Sequence, residues 1–575
     1  MNRRYSIAVG CLLAIASFAL SSTVCLSATI GDPQHPADLA AALTDAYRGG
    51  DRDITIAPGT YDLPGTGKDT IALDQWADAK VHAANVTLIF QDCSFQRRPI
   101  HFIRCKNVTF EGATLRLAVP AATQGRVKAI GSDEAGNYCD WQVDAGYSDK
   151  INPVKSTLDV VDQHTRLLKV RTGDFSPASS DALGSGLFRL HFKHDMPRFE
   201  TGDWLVTRIE TGSVICHVDG CENVTLSGLT MQNGGFGTFF ETGGAGGNHF
   251  LHCRITYGPR PAGATEDQIV SCGADGFHST ETTRGPDIED CDFEGVYHDD
   301  CIAIHGSFQK VISSSGASLV LDGHGDQYAP NEPIRISDGK GFFEQATCLA
   351  VNVPQGQRQA VEITLDRPLE VPAGAKANNP NHCGRGFKIL RCHLGNTRSR
   401  GILIKGDDGL IDGCTIEGCG MSAISIGPEY YWGEANYCWN VTVSNNVIRN
   451  CVKRNGDDAT VFVHGDGAIG NRHIIIRDNL FDTDYGQSIM KLEWTDGLEI
   501  IGNRVIRPFE LPLEKPGHVV ELAHDRNVKL AGNVVERPGE AAGSTIGIGQ
   551  DVTGVVNDDS TGLETPAARP PPVSP

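Results

Sequence analysis

The stretch Asn440-Val-Thr-Val-Ser-Asn-Asn-Val-Ile448 holds two short β-branched strands around a polar turn, and it recurs along the chain. Its first half returns as Asn85-Val-Thr-Leu88, Asn107-Val-Thr-Phe110, Asn223-Val-Thr-Leu226 and Asn527-Val-Lys-Leu530. Its second half returns as Arg477-Asp-Asn-Leu-Phe481 and Ile501-Gly-Asn-Arg-Val505. Related strands begin near Ile288, Phe387, Leu410, Ile474 and Leu498, at spacings of roughly 22 to 33 residues with no helical pattern between them. One such coil cannot bury its own inner face. Stacking coils about 4.8 Å apart pairs the backbone and sets like residue over like. The fold class predicted is therefore all-β: a right-handed parallel β-helix, or solenoid.

Working outward, the cysteines fall into the same frame. Of the 18 in the chain, many occupy one phrase: Cys93, Cys253, Cys291, Cys392 and Cys414 each sit between two short strands. That repetition reads as a small buried hydrophobe in a ladder, with one or two disulfides left open, for example at Cys216 and Cys221. Asn85, Asn107, Asn223 and Asn440 form Asn-Val-Thr sequons, read here as ladder residues and not as glycosylation sites.

Residues 1–27, with Arg3 and Arg4 ahead of an apolar run, read as a signal peptide, so the chain is expected to be exported to the periplasm or the medium. A cap helix over Asp38 to Tyr47 and the first coils fill 28–116. Two β-rich, barrel-like insertions are predicted at 117–215 and 307–384. Coils at 216–306 and 385–538 flank the second, and 539–575 reads as a disordered tail. With 50 basic and 71 acidic residues the net charge is −21, which disfavours a nucleic-acid partner. The hydrophobic share of 40% excludes a disordered chain.

The chemistry is concentrated in Gly273-Ala-Asp-Gly-Phe-His278 and Tyr297-His-Asp-Asp-Cys-Ile-Ala-Ile-His-Gly306. Asp275 and Asp299 lie 24 residues apart, one coil, and Asp299 adjoins Asp300. Three crowded carboxylates repel, so at least one is kept protonated as a general acid while the others orient a water. That is the equipment of inverting glycoside hydrolysis, with acid and base about 6.5–9.5 Å apart. His278, His298 and His305 flank the cluster. Arg400 and Lys405 lie beside Gly401, and Glu429, Trp432 and Glu434, with Tyr430 or Tyr431, make a turn suited to sugar hydroxyls and pyranose faces. A solvated acidic turn and a Ca²⁺ site are the bland alternatives.

These motifs resemble the β-helical inverting glycosidases. The polygalacturonase pattern is matched in part, with Ala274-Asp275 and Leu403-Ile404-Lys405 departing from it. The family 110 α-galactosidases are similar over roughly residues 30–535, through Asp275-Gly-Phe-His278, His298-Asp-Asp300, Ile304-His-Gly306, Arg398-Ser-Arg-Gly-Ile-Leu403, Ala423-Ile-Ser-Ile426 and Glu429-Tyr-Tyr-Trp-Gly-Glu434. The resemblance implies Asp299 as general acid and Asp275 and Asp300 as the residues that position water. It implies an oligo- or polysaccharide substrate cut at terminal α-galactosyl residues, with no cofactor and no metal. A polysaccharide lyase or epimerase with Lys405 or Arg400 as base, and a non-catalytic glycan-binding solenoid, are the competing readings.

Overall fold

The computed structural model describes residues 28–563, except 66–68, 92–93, 95–96, 194–195, 210–212, 324–326, 354–359, 455–458, 485–487, 507–517 and 537–545. The proposed signal segment and Cys93 lie outside the described residues. Three long parallel sheets of 14, 13 and 12 strands run the length of the molecule, and the chain visits them in turn. The protein is a parallel β-helix. Register is exact from coil to coil: Ile411 pairs with Val443, which pairs with Ile476, then Ile500, then Leu530. All five are buried, so the β-branched face of the repeat is the interior of the solenoid.

The sequon asparagines, and Asn527 at the matching position, have a backbone role. Asn85, Asn107, Asn223, Asn440 and Asn527 all adopt left-handed φ between 53° and 61°, a region asparagine tolerates better than branched residues. Their amides then link neighbouring coils, as in Asn223 Nδ2 to Asn107 Oδ1 (2.8 Å) and Asn440 Nδ2 to Asp408 Oδ1 (2.7 Å).

A second column lies inside. Cys253, Cys291, Cys392 and Cys414 stack on successive coils, each thiol donating to a carbonyl of the coil before. From the next coil the same position is asparagine: Asn446, Asn479, Asn503 and Asn533, linked amide to amide at 2.9–3.0 Å. All the described cysteines are free and buried, Cys216 and Cys221 included.

The helix Leu39–Arg48 covers the N-terminal end, burying Leu39 and Leu43, with Tyr47 stacked on Trp76 at 4.2 Å. The first insertion is an open, six-stranded antiparallel sheet within 122–208, so the predicted barrel-like form does not apply to it. It has its own core around Trp141, Leu158 and Leu190, and Trp204 and Val206 dock it against Ile269, Val270 and Tyr297 of the solenoid. The second insertion is a closed six-stranded barrel within 309–378. Arg335 on the barrel fixes it to the coils through a buried bidentate pair with Asp407 (2.8 and 3.1 Å). Within the segment read as a tail, Ile546–Ile548 and Thr553–Asp558 instead extend two of the long sheets by a further coil. Ile546, Ile548 and Val555 pack against the solenoid core despite the polar composition around them.

Candidate active site

The site forms on the outer face of the 13-stranded sheet, between the two insertions. The strands Asp275–Thr280 and Ile302–Ser307 pair with Phe277 opposite Ile302, which sets Asp275 beside Asp300, not Asp299. The backbone confirms the register, since Asp300 N donates to Asp275 Oδ1 at 3.2 Å. Arg400 follows Asp300 on the next coil and closes the column. Asp299 occupies the bend before the strand and is exposed, whereas Asp275 and Asp300 are buried.

One oxygen from each of the three aspartates lies within 4.8 Å of the others. That is tighter than the expected gap of ~6.5–9.5 Å, because the coil spacing of ~4.8 Å sets Asp275 beside Asp300 and Asp299 adjoins Asp300 in the chain. Asp299 keeps one exposed edge at the cleft, but its carboxyl is packed round by protein atoms, and that desolvation, then the charges of Asp275 and Asp300, push it up to about 9. The acid is thus poised to be protonated at neutral pH.

The other two carboxylates are tightly held. Asp300 Oδ1 accepts from Ser399 Oγ (2.9 Å), Arg400 N (3.1 Å) and Arg400 Nε (2.8 Å). Asp275 Oδ2 accepts from His278 Nδ1 at 2.8 Å. His305 Nδ1 faces the Gly306 carbonyl at 2.8 Å and must donate to it, which leaves His305 Nε2 as a lone pair 3.0 Å from His278 Nε2. His278 therefore donates from both nitrogens and is the cationic member of the pair. Burial alone would lower its pKa, but Asp275 reverses that and the net shift is upward. His305, lowered to about 4 chiefly by burial, stays neutral. Burial raises Asp275, and the His278 cation opposes the rise.

Beyond Arg400 the predicted residues form one network. Arg400 Nη1 meets Glu429 Oε1 at 2.6 Å, and Lys405 Nζ sits between Glu429 Oε2 (3.0 Å) and Glu434 Oε2 (2.7 Å). Burial raises Glu429, but Lys405 and Arg400 outweigh it and hold the carboxylate well below its usual range. The Lys405 side chain is 0% exposed. It shapes the turn from beneath and does not reach a sugar, which corrects its predicted substrate contact and leaves a lyase without that base.

His298 is also corrected. Its left-handed backbone (φ 74°) turns the ring away from the cluster, to accept from Arg208 N at 2.9 Å and face Asp159 of the first insertion. Tyr430 packs on Phe308 and the barrel, whereas Tyr431 and Trp432 project, 87% and 71% exposed.

A hollow of about 470 Å³ opens beside Arg400, walled by Ser425, Glu429, Trp432, Phe462 and Trp494. Phe462 and Trp494 carry no motif and join the site only through the coil register, and Ser399, though inside the Arg398–Leu403 motif, shows its role only once that register sets it against Asp300. The three aspartates are the one group among the described residues whose oxygens converge closely enough to hold a metal ion.

No protein-family profile matches the chain. It is 25% identical over 389 residues to alpha-1,3-galactosidase B of Bacteroides thetaiotaomicron, a match covering 61% of this chain and spanning about 60% of that relative's length. Among solved structures it is similar to the A-module of mannuronan C-5 epimerase AlgE6 of Azotobacter vinelandii (10% identity, TM-score 0.40, 93% of this chain and 97% of that one). It is also similar to the tailspike protein of E. coli bacteriophage HK620 (11% identity, TM-score 0.43, 93% and 68%). The chain is a parallel β-helix protein with α-galactosidase-like sequence.

Proposed function

We propose that this protein is an exported glycoside hydrolase that removes terminal α-galactosyl residues from glycans with inversion of configuration. The observation that carries the reading is the division of labour within the aspartates. Asp299, exposed and raised to about 9, holds a proton at the cleft, while Asp275 and Asp300 lie below it on consecutive coils. Asp299 delivers its proton to the glycosidic oxygen. Asp275 and Asp300 Oδ2 take up the water that attacks the anomeric carbon.

The short spacing alone would equally suit a retaining enzyme with a carboxylate nucleophile, for which ~5–5.5 Å is usual. The lone pairs speak against it at Asp275. Asp275 accepts hydrogen bonds at both oxygens and is fixed in place, whereas Asp300 is anchored through Oδ1 and keeps Oδ2 for the water, so the product anomer is what separates the two routes. Such anchored carboxylates suit orienting a water. The galactosidase similarity supports the sugar class, and the two insertions flanking the cluster support attack at a chain end.

The test is proton NMR of the first-formed anomer on an aryl α-galactoside, with Asp299→Asn alongside. The variant should lose ~10²–10⁴-fold in turnover, the usual worth of a general acid. A retained anomer, or near-normal turnover in Asp299→Asn, would overturn the mechanism.

A further inference from the structure

The hollow beside Arg400 continues along the coils. Trp494 forms part of its wall and also walls a second hollow, of about 660 Å³. That second space lies between the barrel, which supplies Gly341 and Phe343, and the C-terminal coils, which supply Arg472, Asp496, His524 and Arg526. An aromatic strip joins the two. Phe462 stacks with His464 at 4.9 Å on one coil, and Trp494 stacks with His524 at 3.8 Å across the next two. The two arginines are offset by two carboxylates, Asp496 and Asp551, in the same wall. Aromatic rings with polar groups of balanced charge suit an uncharged, hydroxyl-rich chain better than an anion.

Trp494 is out of place in its own repeat. It occupies the turn where the chain leaves the 13-stranded sheet, and its N–H donates to the Ala523 carbonyl of the next coil. Gln75, Arg104, Gly220, Gly243 and Glu281 hold the same turn on earlier coils, with the same left-handed backbone and the same bond to the next coil. Glycine or a flexible polar residue meets that need. A bulky aromatic at φ 60° meets it only under strain. The ring also requires Gly465 on the preceding coil, where an added Cβ would collide with the Cβ of Trp494. Stacking the coils does not call for this indole; walling the two hollows does.

We propose that the second hollow is a distal subsite for the leaving-group side of the glycan, and that Trp494 and His524 select α-galactosides carried on long, neutral chains. Trp494 follows the fourth strand of the sheet beyond the one that Asp300 leads into, and Asp551 follows the sixth. With a coil every ~4.8 Å, the hollow lies roughly 19–29 Å from the aspartates. A disaccharide held at the aspartates falls short of it, and a longer chain lying along the coils reaches it.

The inference rests on the glycosidase reading for the reaction at the aspartates but has its own test. Neutral galacto-oligosaccharides of two and six sugars, each ending in one α-galactosyl residue, are compared as substrates. The wild type should show kcat/KM at least tenfold higher on the longer one. His524→Ala should erase that gain, with circular dichroism and disaccharide turnover unchanged. Arg526→Ser, at an exposed position, should at least halve the gain and stands in if His524→Ala misfolds. Calorimetry with the six-sugar chain lacking its α-galactosyl end should show binding that weakens tenfold in His524→Ala. A length gain that survives both substitutions, or equal kcat/KM on both lengths, would overturn the inference and leave the hydrolase reading standing. Binding of the uncapped chain that depends on His524, with neither substrate turned over by the wild type, would keep the subsite and remove the hydrolase reading.

Discussion

Replacing His278 by Gln separates the two limbs of the activity profile. In the wild type the His278 cation lies 2.8 Å from Asp275 and opposes the rise that burial imposes on that carboxyl. Opposite unit charges with centres ~4 Å apart attract by about 4 kcal/mol at an effective dielectric near 20, equivalent to ~3 pKa units. The Gln amide restores one hydrogen bond without the charge, so the net rise at Asp275 should be ~1–3 units. Asp275 must be ionised to take up water, and a raised pKa delays ionisation to higher pH. The acidic limb of kcat/KM against pH therefore moves up by that amount. The alkaline limb, where Asp299 loses its proton, stays near 9. The assay is a pH profile on an aryl α-galactoside, its limbs read as properties of the coupled cluster. An acidic limb that does not move in a folded His278→Gln protein would refute the cation–carboxylate pairing as the source of the base.

Lys405→Met leaves the half-buried Glu429 and Glu434 beside each other without the ammonium between them, and should cost about 1.5–3 kcal/mol in urea unfolding, the worth of hydrogen bonds lost from charged groups. Trp432→Ala removes an exposed ring at the cleft without touching the aspartates, so KM should rise several-fold with kcat little changed on an oligosaccharide. Chelation with EDTA should leave activity intact, since the mechanism uses the three carboxylates as acid and water ligands; loss of activity restored by Ca²⁺ would move the cluster to a metal role.

The fold was legible because a coil repeats its own chemistry. Asn440-Val-Thr-Val and its counterparts carry both the left-handed turn and the inward β-branched face, so one phrase specifies turn and strand together. The aspartates were legible as a group but not in register: counting back from Asp299 gives a coil of 24 residues, whereas the bend at His298–Asp299 makes Asp300 the partner of Asp275. His298 misled for a related reason. Its φ of 74° reverses the ring, and the residues it meets, Asp159 and Arg208, arrive from an insertion some 90 positions or more away. Lys405 looked like a substrate cation because nothing local reveals that the turn at Glu429–Glu434 folds back over it. The His278–His305 contact joins adjacent coils, and only the pairing of Thr280 with His305 brings it about.

The interior column that changes from cysteine to asparagine along the molecule divides it by chemical vulnerability. Thiols one coil apart sit ~4.8 Å from each other, within the ~4.4–6.8 Å between Cα atoms that a disulfide can span. In the finished protein each of these sulfurs donates to a carbonyl and is sealed from solvent. Before the coils close, the same thiols are exposed and able to cross-link out of order. In an oxidising compartment the half of the molecule that carries the proposed catalytic strands would have to wind up before its thiols couple. The coils beyond Cys451, held by amides that no oxidant couples, contain no cysteine and carry no such hazard.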